Sequence, residues 1–136
     1  MPRSALPIAI AATVLAVPAV APAAGANQVR AVNCGREQYK PTRIILSCGD
    51  AGIRLTKLEW SSWNRSRAVA TGRYAENTCR PTCSAGHTVS RPVKVTLSKP
   101  RRCPGRAHPA FRQATFAFRD GSPPHAYHRF TFSCPF

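Results

Sequence analysis

The chain has 136 residues and carries 20 Lys and Arg against five Asp and Glu, a formal net charge of +15. That length leaves room for one domain and no second one, and the charge favours association with polyanions without selecting a particular one. No nucleotide-binding loop, serine-hydrolase elbow or dinucleotide fingerprint is present, so the enzyme classes built on those motifs are excluded.

The chain opens with one positive side chain, Arg3, and residues 4–29 carry no charge. Residues 5–20 are mostly Ala, Val, Ile and Leu, and Ala21-Pro22-Ala23-Ala24-Gly25-Ala26 follows with two A-x-A sites, so cleavage after Ala23 or after Ala26 fits an export signal. A retained span needs about 20 uninterrupted apolar residues, and Pro7 and Pro18 interrupt this run. Residues 1–26 are therefore read as a signal peptide and residues 27–136 as a single basic all-β domain, secreted or held in the cell envelope with no integral membrane span after cleavage. Removing the leader leaves nineteen basic against five acidic side chains, a formal +14, and sixteen of the twenty basic residues of the full chain are Arg.

All six cysteines, Cys34, Cys48, Cys79, Cys83, Cys103 and Cys134, follow the leader. An even number in an exported chain predicts three disulfides. Spacing alone does not choose among the pairings; the preferred one is Cys34 with Cys48, Cys79 with Cys83 and Cys103 with Cys134. Closing the first of these loops is worth about 3 kcal/mol in the chain-entropy description, useful to a domain that buries only about two-thirds of its unfolded surface.

From Arg43 onward short apolar runs alternate with Gly, Pro, Asn and Asp, and no helical period is sustained. Ile44, Ile45 and Leu46 form a first strand, broken by Gly49-Asp50-Ala51-Gly52. In the second, Ile53 and Leu55 share a face while Leu58 and Trp60 fall in the opposite phase, so either a bulge lies near Lys57 or both faces are covered, the bulge being the preferred reading. Asn64-Arg65-Ser66-Arg67 turns into a third strand whose Ala68, Ala70 and Gly72 leave room for a ring, Trp60 or Trp63, from its neighbour. Residues 77–87 form a loop pinned by Cys79 and Cys83. Val93, Val95 and Leu97 then alternate with Lys94, Thr96 and Ser98, a half-buried strand. Residues 99–109 read as a basic, Pro-rich surface loop tethered by Cys103. Two aromatic strands, with Phe116 and Phe118 in one and Phe130 and Phe132 in the other, close the chain around Asp120-Gly121. The expected fold is all-β, a small antiparallel sandwich or barrel stapled by disulfides.

The segments Ile44-Ile45-Leu46-Ser47-Cys48-Gly49-Asp50, Trp60-Ser61-Ser62-Trp63, Ala70-Thr71-Gly72, Asn77-Thr78-Cys79-Arg80-Pro81-Thr82-Cys83 and Pro92-Val93-Lys94-Val95-Thr96-Leu97-Ser98 resemble a family of small secreted proteins of high-GC Gram-positive bacteria. The resemblance spans about residues 34–134. It implies export and a shared fold, and it carries over no catalytic residue.

Four histidines, His87, His108, His125 and His128, supply the raw material for acid and base catalysis on RNA, but they and the carboxylates Glu37, Glu59 and Glu76 are scattered singly. Cys79 and Cys83 fit a disulfide better than a metal site, and His125 and His128 point to opposite faces of any strand that holds them both. No catalytic, cofactor or metal residue is assigned. Arg65, Arg67, Arg73, Lys99, Arg101, Arg102 and Arg106 form the densest basic segments and are the candidate polyanion contacts. Tyr39, Trp63, Tyr74 and Tyr127 are candidate exposed rings beside them, with Trp60 and Trp63 expected in the core. The sequence thus predicts a non-enzymatic exported module that binds anionic cell-envelope polymers, with a small secreted ribonuclease-like enzyme or nucleic-acid-binding protein as the alternative.

Overall fold

The computed structural model describes residues 28–135, so the leader and both cleavage sites lie outside the described residues. The fold is all-β, with eight strands among the described residues: β1 (Ala31–Asn33), β2 (Arg36–Gln38), β3 (Ile44–Ile45), β4 (Ile53–Trp63), β5 (Arg67–Asn77), β6 (Thr88–Arg102), β7 (Pro109–Phe118) and β8 (Arg129–Thr131). Strands β3 to β8 pair in chain order as one antiparallel meander, which curls into a half-barrel, and β1 and β2 form a separate hairpin. The turns are set locally. Asn64 Oδ1 accepts from the backbone N–H groups of Ser66 and Arg67, both at 2.9 Å, and so closes the β4–β5 connection. Asp50 likewise accepts from Gly52 N–H at 2.8 Å and Ser47 Oγ at 2.9 Å, and these two bonds hold its carboxyl below the ordinary aspartate range.

The concave side of the curl is the core, and β4 reaches it by changing phase. Its register against β5 slips between Thr56 and Glu59 and again between Trp60 and Ser62, with Lys57 at φ 51°. Each extra residue turns the next side chain inward, so Leu55 and Leu58, three positions apart, are both buried. Trp60 then stands opposite Ala70 and Trp63 opposite Ala68, where the small alanines make room for the rings. Gly72 serves a different purpose from its two small neighbours. A Cβ there would lie 2.8 Å from the Thr56 carbonyl oxygen and 2.9 Å from Leu58 Cδ2, so the space a side chain would need is filled by the bulge.

The hairpin, which local patterning does not reveal, covers the open side of the curl. Because β8 pairs only with Gln113 to Thr115, the start of β7 has a free edge. Arg30 takes it: its N–H donates to Pro109 C=O and its C=O accepts from Phe111 N–H, both at 2.9 Å. On the other side Asn33 Oδ1 accepts from Ile45 N–H at 2.9 Å and its Nδ2 donates to Arg43 C=O at 3.1 Å, while Cys34–Cys48 ties the hairpin turn to the β3–β4 turn. The other two bridges are Cys79–Cys83, within the β5–β6 loop, and Cys103–Cys134, which anchors the segment after β8 to the β6–β7 connection.

One expected loop, residues 99–109, is strand at both ends and loop only over residues 103–108. Residues 99–102 continue β6, and Arg101 and Arg102 pair with Ala110 and Pro109. Pro100 is tolerated because its partner Phe111 sends its own N–H away from β6, to Arg30. In that kind of antiparallel pair no ladder bond is required of Pro100, and β5 has already ended at Arg67, opposite Ser98.

Gly72→Ala should cost about 1–3 kcal/mol by forcing the bulge apart, read as a lower midpoint in chemical denaturation under oxidising conditions. An unchanged midpoint would mean that the bulge yields freely.

Candidate functional site

Pairing of Arg67 with Ser98 brings the β4–β5 turn beside the far end of β6. Six of the seven basic residues singled out from the sequence therefore sit at one end of the meander: Arg65 and Arg67 at the turn, Lys99, Arg101 and Arg102 on the last stretch of β6, and Arg106 in the connection to β7. All but the half-buried Arg106 are exposed. Arg30 and Lys40 reach the same end beside the ring of Tyr39, with Arg30 Cζ 5.8 Å and Lys40 Nζ 5.4 Å from its centroid. Arg73 does not belong with them. It lies six residues further along β5, about 20 Å away by strand rise, and its guanidinium is bonded to Ser90 through Oγ at 2.8 Å and C=O at 3.1 Å.

The five acids lie outside these two basic segments: Glu37 is on β2, Glu59 is within β4, and the other three are at the far end of the sheet. Asp50 is held in the β3–β4 turn, Glu76 near the end of β5 and Asp120 just beyond β7, all at the opposite end, and neither the β4–β5 turn nor residues 99–108 contain an acidic side chain. Clustered exposed cations of this kind attract counterions, and a polyanion gains by displacing them.

A second basic surface emerges only from the register. The convex side of the sheet carries Arg67, Ser98, Gln113 and Thr131 in one row, Val69, Thr96, Thr115 and Arg129 in the next, and Thr71, Lys94 and Ala117 in the third. All are exposed or half-buried. At the Lys94 corner the face dips into an open depression of about 350 Å³, lined by Thr71, Pro92, Lys94, Ala117, Arg119 and Asp120. The strand alternation already placed Lys94 outward; what the sequence lacked was the pairing that sets Arg129 and Arg119 near it.

Of the four rings expected at the surface, Tyr39 and Tyr127 are exposed, at 40% and 41%. Trp63 is packed edge-on against Trp60, Tyr39 and Phe111 at centroid distances of 4.6, 5.2 and 5.5 Å, and its Nε1 donates to Val29 C=O. Tyr74 is a correction: it is fully buried, between Phe116 and Phe118.

Tyr74 and Glu76 are polar side chains buried in the interior, and they hold the β7–β8 connection. Glu76 is 1% exposed and its Oε1 accepts from His125 N–H at 3.1 Å; the Tyr74 hydroxyl accepts from Tyr127 N–H at 3.1 Å. His125 thus meets the carboxyl through its backbone, and its imidazole stays exposed. His108 lies in the β6–β7 connection, at the opposite end from the loops that carry His87, His125 and His128. Among the described residues no group of three or more His, Cys, Asp or Glu is placed to hold a metal ion.

No family model, curated protein or solved structure matches the chain. Three disulfides are consistent with an oxidising, extracellular setting, and among the described residues no helix is long and apolar enough to cross a membrane.

Burial, opposed in part by the Tyr127 N–H and reinforced by the nearby Glu76 charge, pushes the Tyr74 phenol from 10.0 up to about 12. The folded chain therefore keeps a proton that the unfolded chain releases between those values, and the stability associated with it is complete below pH 10 and lost as pH rises toward 12. Tyr74→Phe should lose this part of the alkaline slope, and at neutral pH it should cost about 1–3 kcal/mol because Tyr127 N–H is left without its acceptor. Denaturation midpoints of both proteins at pH 8, 10 and 12 would check this; identical slopes would refute it.

Proposed function

We propose that this protein is an exported, non-enzymatic module that binds anionic polymers of the cell envelope or its surroundings through its cationic surface. The observation that carries this reading is the convergence of Arg65, Arg67, Lys99, Arg101, Arg102 and Arg106 from two separate parts of the chain at an end whose segments contain no acid. Arg predominates there, and its planar fork suits carboxylate, sulfate and phosphate better than a Lys point charge does. Export is supported by the apolar leader with its A-x-A sites, by the three disulfides and by the resemblance to small secreted proteins of high-GC Gram-positive bacteria. The ribonuclease-like alternative has less behind it, because its histidines are divided between the two ends of the sheet and the buried Glu76 carboxyl is engaged by a backbone N–H.

Binding to an immobilised polyanion such as dextran sulfate should weaken steeply between about 50 and 200 mM salt. In the Arg101→Gln/Arg102→Gln double variant the log–log salt slope should fall by about one unit for each guanidinium–anion pairing removed. Absence of retention of the wild type at low salt would end this reading.

A further inference from the structure

The depression beside Lys94 differs in kind from the basic end, because its rim carries both signs of charge. Lys94 and Arg119 supply exposed cations, Thr71 a hydroxyl and Asp120 an exposed carboxylate. A bare polyphosphate or nucleic-acid backbone, which has negative charge and no hydrogen to donate at its phosphates, would be repelled by Asp120. A sugar unit bearing an acid group would instead place its charge on Lys94 or Arg119 and donate its hydroxyl hydrogens to Asp120 and Thr71. At about 350 Å³ the space is at the lower end of what small-ligand sites occupy and holds no aromatic lining, so it offers no platform on which a base could stack.

The surroundings extend the argument from one unit to a chain. Beyond the depression the next outward cation is Arg129, one row along and two strands across from Lys94, about 12 Å by strand geometry. Thr96 and Thr115 lie between them and Ser98 and Gln113 just beyond, all outward-facing hydrogen-bonding groups without charge. A ligand spanning this face needs anionic groups separated by uncharged, hydroxyl-bearing units.

Resting on the polyanion-binding reading above, we infer that the convex face of β5 to β8 binds an acidic polysaccharide, with the Lys94–Arg119–Asp120 depression seating one acidic sugar residue and Arg129 meeting a later acid group of the same chain. This assigns the specific contact to the convex face and leaves the basic end as a general electrostatic attractor.

The test compares an oligogalacturonate, an oligothymidylate of matched charge and free galacturonate as ligands in solution, at fixed ionic strength. The wild type should bind the oligogalacturonate more tightly than the other two. Lys94→Gln and Arg119→Gln should each weaken that binding about fivefold, the effect of removing one exposed ion pair at the upper end of its range. Asp120→Asn gives the discriminating result: it should weaken oligogalacturonate binding while strengthening oligothymidylate binding, since one loses an acceptor and the other a repulsion. The inference is overturned if oligothymidylate binds more tightly than oligogalacturonate, if free galacturonate competes as well as the oligomer, if Asp120→Asn strengthens both ligands, or if Lys94→Gln and Arg119→Gln leave binding unchanged while Arg101→Gln/Arg102→Gln abolishes it. That last outcome would leave the broader polyanion reading standing, whereas failure of the wild type to bind any polyanion would remove both. The exchanged residues are exposed, and a wild-type denaturation midpoint would confirm that each variant is folded.

Discussion

The close approach of Gly72 to the backbone around Thr56 and Leu58 is the contact on which the rest of the architecture depends. An eleven-residue strand of strict alternation would send half of the apolar side chains of β4 into solvent. The bulge at Lys57 and the slip between Trp60 and Ser62 let Leu55, Leu58, Trp60 and Trp63 all face the concave side, and the missing side chain at position 72 gives the first bulge somewhere to sit. Bulges also increase twist and bend a strand. The same feature therefore fills the core and helps to curl the sheet, and in doing so defines the convex face that carries the polar and basic rows.

Covalent links reinforce the places where the ladder has least to offer. The β1–β2 hairpin is three residues long on each side, and the segment after Thr131 has left the last strand. Each is joined to the meander by a disulfide spanning ordinary Cα distances, 5.5 Å for Cys34–Cys48 and 5.6 Å for Cys103–Cys134. Loop closure of these lengths is worth about 3 to 4 kcal/mol apiece in the chain-entropy description, a large share of what a single domain of this size commands. Arg112 adds a polar clasp to the second, its Nη1 lying 2.8 Å from Cys134 Sγ and its Nε donating to Phe132 C=O at 2.7 Å.

Two of the five acids, Asp50 and Glu76, are placed where they satisfy backbone donors. Asp50 completes a turn and Glu76 accepts a loop N–H in the interior, so neither is disposed to offset the arginines at the far end of the sheet. Charge segregation in this protein thus follows in part from the structural duties of Asp50 and Glu76 and in part from the excess of Arg. Asp120 instead is exposed beside Lys94 and Arg119 at the edge of the depression, and it is this local mixture that separates the convex face from a surface that is merely positive.

What the sequence determined by itself was everything governed by local period and local chemistry. The alternation at Val93, Val95 and Leu97 marks its strand, the phase change between Leu55 and Leu58 marks its bulge, and Ala68 and Ala70 mark a recess for the two Trp rings, because each depends on neighbours two to four positions away. The hairpin at residues 31–38 was not legible, since strands of three residues have almost no period and this one is held by Arg30 and Asn33 to partners on β7 and near β3. Burial of Tyr74, continuation of β6 through Pro100 and the separation of Arg73 from the other candidate cations were decided only by the tertiary structure. Register and curl set which distant side chains share a face or an end, and both arise from contacts far apart in the chain, where composition and spacing carry no record of them.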